Sequence, residues 1–391
     1  MGKKHVKVQW AVALGAAGAW FGQHCGAGFA SGLQEITYFV NAGWVSAFTT
    51  LIPMVIIGTA FYFIGEYARE IHATSYKDVA TTLYSKNKVV GNIMLVIFDL
   101  IVMASVLVSS SSVMAGAGSL LNETFGWDYT FATIVFAALI VVVSMFGARV
   151  LAEINLPLSV VLIGGLFIIA VALIGANWGN LEAIFASGET FDAEPVDVVG
   201  NVLYYTCMQT GFAGAYIAIA GQFTSSKDSK VMAVTGIIIN TGMLLLVSMA
   251  VLSGMPGIAS EDIPILIMVR ECFGSGSVLF TFYSISLFLA YVSTADVVAA
   301  TSRFGVLVNR KKRYNQVVVD AILAIILLGA SLLLAQFGIR ALVDVAYRAL
   351  GLLRGPVYLL GGLVFAPIKL HQIRARRAAE EAAPQVEDAT S

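Results

Sequence analysis

Charged side chains are scarce inside the long apolar runs of this 391-residue chain, so each one found there calls for a reason. Asp99 lies about ten residues into the apolar run 90–117, in IMLVIFDLIVMASV, where a carboxylate without a partner is costly and a functional role is the default expectation. Three roles stand open for it: carrying a coupling proton, holding a substrate amine, or making a structural hydrogen bond. No basic residue is expected at its depth. Ser293 and Thr294 are adjacent hydroxyls in LFLAYVSTADVVAATSRFG; each can bond a carbonyl four residues back or turn its oxygen toward a ligand. Asp296 follows two residues later and can tune the field there or pair with Arg303. Glu35 is expected to line an outer vestibule, Asp320 to be interfacial, and His24, the one histidine within a run, to pack through hydrogen bonds.

Two glycine clusters accompany these side chains: Gly26, Gly28 and Gly32 in GAGFASG, and Gly211 and Gly214 in TGFAGA. Such clusters either let helices pack closely, as Gly18, Gly22 and Gly26 at spacings of four would, or mark places where a helix unwinds. Unwound backbone is tolerated in a bilayer only when buried in protein or beside a polar cavity. There its carbonyls can ligate a cation and the start of the outer half-helix can attract a carboxylate. The substrate-contacting candidates are therefore Gly26, Gly28, Phe29, Ala30, Ser31, Gly211, Phe212 and Gly214, with free amides expected from Gly28 through Ser31. Trp20, Tyr204, Tyr205 and the hydroxyls of Ser109 to Ser112 would surround them.

The elements that must position these residues follow from composition. Only 12% of the residues are charged and 58% are apolar, with a mean hydropathy of +0.85, so the solvent is mostly lipid. A net charge of -1 excludes a nucleic-acid partner on electrostatic grounds. Neither GxxxxGK[ST] nor HExxH nor GxSxG occurs. ATP coupling, catalytic residues and an organic cofactor are accordingly not expected. Cys25, Cys207 and Cys272 lack paired or metal-ligand spacing.

Ten runs are long and apolar enough to span: 9–40, 45–68, 90–117, 129–148, 154–176, 198–222, 230–253, 276–303, 316–337 and 350–369. The charged start reads as part of an uncleaved first span and not as a secretory signal. With the N-terminus in the cytoplasm, 19 of the 23 Lys and Arg fall in inner segments, leaving Arg270, Arg340, Arg348 and Arg354 outside. Both termini are thus expected to be cytoplasmic. IPILIMVREC and ALVDVAYRAL read as short amphipathic or re-entrant helices, 177–197 as an acidic outer loop, and 371–391 as a disordered cytoplasmic tail. The shared Gly-Phe-Ala sets Gly28 against Gly211, an offset of 183 residues crossing five spans. An odd number inverts the second half, so residues 1–176 and 198–370 form a 5+5 inverted repeat.

GAGFASG near the N-terminus, followed by Gln34 and Glu35, resembles the signature of the YkvI family of bacterial membrane proteins, in the amino acid-polyamine-organocation superfamily. That resemblance implies an all-α LeuT-like fold of ten helices, with the first and sixth unwound at mid-membrane, in the bacterial inner membrane. It also implies one sodium ion, held by the carbonyls of Gly22, Cys25 and Ala290 and the hydroxyls of Ser293 and Thr294. A second sodium site of some relatives uses an Asn side chain where this chain has Phe29. The function expected is cation-coupled symport of a small amino acid or related zwitterion or amine, with sodium or, through Asp99, a proton as the driving ion. A membrane sensor or channel is the alternative. The expected partners are a small-molecule substrate and the lipid bilayer, with no obligatory protein partner.

Overall fold

The helices begin where the sequence supplies caps and turn where it supplies glycine. The structure, a computed structural model, describes residues 8–144, 147–191, 193–293 and 304–382, and every regular element among them is helical. Asn87 and Asn315 each accept a hydrogen bond from the amide two residues on, at 2.8 and 3.0 Å, and so start the helices Lys88–Phe125 and Gln316–Ala335. Gly126, at φ +70°, ends the first of these in a left-handed conformation that a side chain would strain.

One capping device occurs twice. Thr74-Ser75-Tyr76-Lys77-Asp78 opens Tyr76–Thr82, and Thr224-Ser225-Ser226-Lys227-Asp228 opens Ser226–Leu252; in each, Ser and Asp form a reciprocal capping box. Asp78 accepts from the Thr74 and Ser75 amides at 2.8 and 3.2 Å, and Asp228 from those of Thr224 and Ser225 at 3.0 and 2.9 Å. Asp228 also accepts from the Gln9 amide at 2.8 Å, which fastens the start of the first segment to the helix Ser226–Leu252.

Glycines let the central helices touch. A Cβ on Gly236 would fall 2.3 Å from the Trp20 ring, and one on Gly58 3.4 Å from its Cη2, so Trp20 packs Trp10–His24 against both Ile52–Glu70 and Ser226–Leu252. Large apolar side chains such as Val96, Leu100, Ile238, Ile325 and Ile326 point outward, while Ser110 to Ser112 are buried within the bundle. That arrangement suits a lipid exterior.

Four described helices, Lys88–Phe125, Ser226–Leu252, Gln316–Ala335 and Ile339–Glu380, are each long and apolar enough to cross a bilayer. Two bent pairs, Val40–Thr49 with Ile52–Glu70 and Ile163–Ala176 with Trp178–Ser187, pass the same test together, bent by 50° and 71°. The remaining expected spans are helical but shorter or interrupted within the described residues. This is the build of a multi-pass membrane protein.

Two expectations change. ALVDVAYRAL is no separate short helix; it begins the long helix Ile339–Glu380 and includes a π-helical stretch, Leu342–Ala346. Its charges interrupt the apolar pattern, yet each has a partner: Arg340 on the Glu261 carbonyl and Asp262, Asp344 on Thr37, Arg348 on Asn201. The expected disordered tail is instead helical as far as Ala382, because Arg374 and Arg377 pair with Glu66 and Glu70. Pro264–Phe273 is the short amphipathic helix expected at IPILIMVREC.

Candidate functional site

The first segment breaks where its hydrogen-bond ladder lapses. The last bond of Trp10–His24 runs from the Cys25 amide to the Phe21 carbonyl (3.0 Å), and the next from the Ala30 amide to the Gly26 carbonyl (2.9 Å). Cys25, at ψ 45°, and Gly26, at ψ -178°, are not helical. The carbonyls of Gly22 to Cys25 and the amides of Gly26 to Phe29 therefore leave the ladder, a gap two residues earlier than the one expected at Gly28 to Ser31. A single turn, Ala27–Ser31, follows; then Gly32 at φ +87° redirects the chain into Leu33–Tyr38. A side chain at Gly32 is excluded twice, by this φ and by Ile265, whose Cγ1 would lie 2.8 Å from a Cβ there. The Ser31 hydroxyl turns inward and donates to the Gly28 carbonyl at 3.0 Å.

The expected cation ligands divide. Gly22 and Cys25 place their carbonyls in the gap. Ala290 is buried on Val278–Ser293, a helix that packs against the Ala27–Ser31 turn and whose Tyr283 hydroxyl donates to the Ala30 carbonyl. The Ser293 side chain, Thr294, Asp296 and Arg303 lie outside the described residues. Among the described residues no three His, Cys, Asp or Glu side chains gather as a metal site, so carbonyls and hydroxyls are the donors on offer.

The second break is a tightening. Pro195–Met208 passes into a 3₁₀ turn at Gln209–Phe212 before Ala213–Ala220 resumes. The Met208 carbonyl accepts from Arg354 Nη1 at 2.8 Å, and Arg354 Nε donates to Ser105 Oγ at 3.1 Å. The guanidinium lies across Gly211, where a Cβ would fall 2.8 Å from Nη1. Expected in an outer segment, Arg354 is only 8% exposed and sits inside Tyr347–Leu360. Its partner Ser105 stands six residues from Asp99 on one helix, about 9 Å along the axis, so a guanidinium does lie inside the bundle against that helix. Counting Lys and Arg by segment cannot detect a guanidinium that finds its carbonyl inside the bundle.

A glutamine pair joins the two breaks. Gln34 covers Gly28, with Nε2 2.8 Å from where a Cβ would stand, and its Oε1 accepts from Gln209 Nε2 at 3.3 Å. The first glycine of each Gly-Phe-Ala thus lies under a polar side chain, Gln34 in one half and Arg354 in the other. Phe29 packs against His24, ring centroids 4.4 Å apart, and Phe212 stacks on Tyr216 at 5.9 Å. His24 bonds Asn240 Oδ1 through Nδ1 at 2.8 Å and the Tyr205 hydroxyl through Nε2 at 2.7 Å. Because Oδ1 only accepts, Nδ1 carries the hydrogen and Nε2 receives the Tyr205 hydrogen. Gly214 meets only the Tyr358 hydroxyl, 3.8 Å from where a Cβ would stand.

The two acids depart from expectation in opposite ways. Asp99 is half-buried and accepts from the Tyr76 hydroxyl at 2.5 Å, so it is not unpartnered. Glu35, expected in a vestibule, is fully buried, and neither carboxyl oxygen has a hydrogen-bond partner among the described residues. An open cavity of about 650 Å³, lined in part by Thr37, Asn41, Phe191, Arg340, Asp344 and Arg348, lies at the end of the bundle away from the capping boxes. At the capping-box end, Glu66 accepts from Arg69 at 3.1 Å, from Ser226, and from Arg374 at 3.5 Å, while Glu70 meets Arg377 at 2.6 Å. One end thus holds an open polar cavity, and at the other ion pairs tie the last helix to Ile52–Glu70.

No family model matches the chain, and no curated protein does. Among solved structures it is similar to the inward facing conformation of Mhp1, with a TM-score of 0.58 at 13% identity over 92% of this chain and 79% of that one. It is also similar to a manganese transporter of Eremococcus coleocola, with a TM-score of 0.53 at 13% identity over 100% and 91% of the two chains. MhsT in complex with L-phenylalanine matches with a TM-score of 0.53 at 14% identity over 96% and 99%. At such identities the likeness shows the fold: an all-α membrane protein of the LeuT-like class.

Proposed function

We propose that the chain is a secondary active transporter that carries a small amino acid, or a related zwitterion or amine, by alternating access coupled to sodium. The observation that carries this reading is the pair of breaks, at Cys25–Gly26 and Gln209–Phe212, held together by the Gln34–Gln209 hydrogen bond in a fold shared with transporters. Gly26, Gly28, Phe29, Ala30, Ser31, Gly211, Phe212 and Gly214 then border the substrate. The residue ranges 1–176 and 198–370 are the two halves that exchange its exposure, and both termini face the cytoplasm. The resemblance of GAGFASG to the YkvI family belongs to this reading.

Sodium would be held by the carbonyls of Gly22, Cys25 and Ala290 and the hydroxyls of Ser293 and Thr294. Five uncharged oxygens suit a weakly held, exchangeable monovalent ion. Each hydroxyl is one ligand of about five, so Ser293→Ala and Thr294→Ala should each raise the sodium concentration for half-maximal uptake in proteoliposomes. Unchanged sodium dependence in both variants would refute the site.

Proton coupling through Asp99 is the second reading, favoured by the placement of Asp99 and Arg354 on and against one helix near the second break. Asp99→Asn should then still exchange substrate across the membrane and fail to accumulate it when a pH gradient is the only driving force. Equal sodium-driven accumulation in wild type and variant, with no proton movement, would leave Asp99 structural.

A further inference from the structure

Basic residues from two separate elements converge at the capping-box end of the bundle. The chain between Tyr76–Thr82 and Lys88–Phe125 is seated on the last helix by Tyr84, whose hydroxyl donates to the Val357 carbonyl at 2.8 Å and whose ring meets that of Phe365 at 5.2 Å. That seat carries Lys86 toward Lys369, one helical turn past Phe365, and both Lys86 and Arg376 repel the Lys369 ammonium. Lys88 opens its helix two residues after Lys86. At the same end Arg69, Arg374 and Arg377 are tied to Glu66 and Glu70, yet no acid pairs with Lys86, Lys88, Lys369 or Arg376 among the described residues. Like charges gathered in this way raise the local positive potential, and an anion from outside the chain relieves it.

The surroundings fit an anion that belongs to a lipid. An open cavity of about 450 Å³ adjoins the cluster and is lined by Thr81, Thr82, Ser85, Lys86, Lys88 and Asn92, so polar side chains accompany two of the ammonium groups. Its two walls are packed together at Gly91, where a Cβ would fall 2.5 Å from the Thr81 carbonyl oxygen. Apolar surface begins immediately beyond the charges. Val89, Ile93, Val96 and Leu100 are exposed at helical spacing after Lys88, and Leu360, Val364 and Ile368 are exposed on the last helix just before Lys369. A soluble anion meets only the charges, whereas an anionic lipid meets the charges with its headgroup and both apolar faces with its chains.

We infer that Lys86, Lys88, Lys369 and Arg376 bind the phosphate headgroup of an anionic phospholipid at the capping-box end, in the cytoplasmic leaflet of the orientation proposed above. The lipid bridges the chain at 83–88 to the last helix, whose next turns carry Arg374 and Arg377 to Glu66 and Glu70.

The test titrates the delipidated full-length protein in detergent with dioleoyl phosphatidylglycerol and counts bound lipid by native mass spectrometry. Each basic residue near an anionic lipid surface is worth about fivefold in affinity, so Lys86→Gln with Lys369→Gln should weaken binding about thirtyfold. The same double variant removes two charges that repel each other. In lipid-free detergent it should therefore unfold at a temperature no lower than wild type, which separates lost binding from lost folding. Lys227→Gln with Lys230→Gln makes an equal charge change at exposed positions of the same end and should bind as wild type does. Unchanged affinity in the Lys86 and Lys369 variant would overturn the assignment, as would an equal loss in both double variants. Dioleoyl phosphatidylcholine bound as tightly as phosphatidylglycerol would reduce the site to general lipid contact. Glycerol phosphate displacing the lipid at equal concentration would make it a site for a soluble anion, and either result would contradict the inference.

Discussion

Glycine at positions 28 and 211 is explained by what lies on it. A methyl group at either would press on a polar side chain at about van der Waals overlap, the end of Gln34 in one case and the Arg354 guanidinium in the other. Overpacking of this kind costs about 1–3 kcal/mol, and here it would also displace the groups that join the two breaks. Gly28→Ala and Gly211→Ala should therefore depress uptake in proteoliposomes severely. Gly242→Ala, at a position with nothing within 4 Å, should behave as wild type. Equal uptake in all three would show that these glycines serve packing alone. The Gly-Phe-Ala echo was legible in the sequence because it is a local pattern repeated at the start of each half. Gln209 and Arg354 were not, since Gln209 meets a partner 175 residues away and Arg354 one 146 residues away. No local window pairs residues so distant. Burial of Glu35 escaped notice for a similar reason: Gly32 turns the chain after the break, so helical spacing from Gly28 does not give the direction of Glu35.

At the scale of elements, the apolar runs marked the helices well and their ends poorly. Thr-Ser-x-Lys-Asp recurs at 74–78 and 224–228, a signal present in the sequence that the capping-box pattern could have exposed. Burial works against the ionised Asp78 carboxylate, but hydrogen bonds from Thr74 and Ser75 outweigh it and hold its pKa below the usual aspartate range. A carboxyl whose folded-state pKa is depressed adds stability above its unfolded pKa, about 3.9, and that stability disappears as pH falls through the folded value. Asp78→Ala should lower stability by about 0.5–2 kcal/mol near neutral pH, as lost caps do. The difference from wild type should shrink in acid, which thermal unfolding in detergent at a series of pH values would check. A difference independent of pH would mean that the carboxylate is not what stabilises the turn. The last helix shows the opposite limit of sequence reading. Charges at Arg340, Asp344 and Arg348 diluted its apolar signal, although each is satisfied by another segment.

Taken whole, the molecule is open at one end and tied at the other. Arg374 and Arg377, both more than half exposed, reach from the last helix to the buried Glu66 and Glu70. Exposed arms of this kind contribute little singly and are screened by salt, which makes them suited to letting go. Replacing both, Arg374→Ala with Arg377→Ala, should loosen the capping-box end. A cysteine at Tyr62, in the cavity beneath them, should then react faster with an impermeant thiol reagent in inside-out vesicles, as should the clamped protein in high salt. Unchanged labelling would assign the ion pairs to tail anchoring alone. The proposed orientation predicts in addition that cysteines after Lys227 and after Arg313 are shielded in intact cells while one at Glu189 is labelled. The central claim is that two facing helix breaks form one site whose access alternates, with an ion gradient doing the work. Its most direct test is accumulation of labelled amino acids by proteoliposomes under an imposed inward sodium gradient and, separately, a pH gradient, with potassium as control. The account predicts accumulation above the external concentration under the sodium gradient, collapsing when the gradient is dissipated. Entry that only equilibrates under every gradient, or no entry beyond protein-free vesicles, would contradict it and identify a channel or a sensor.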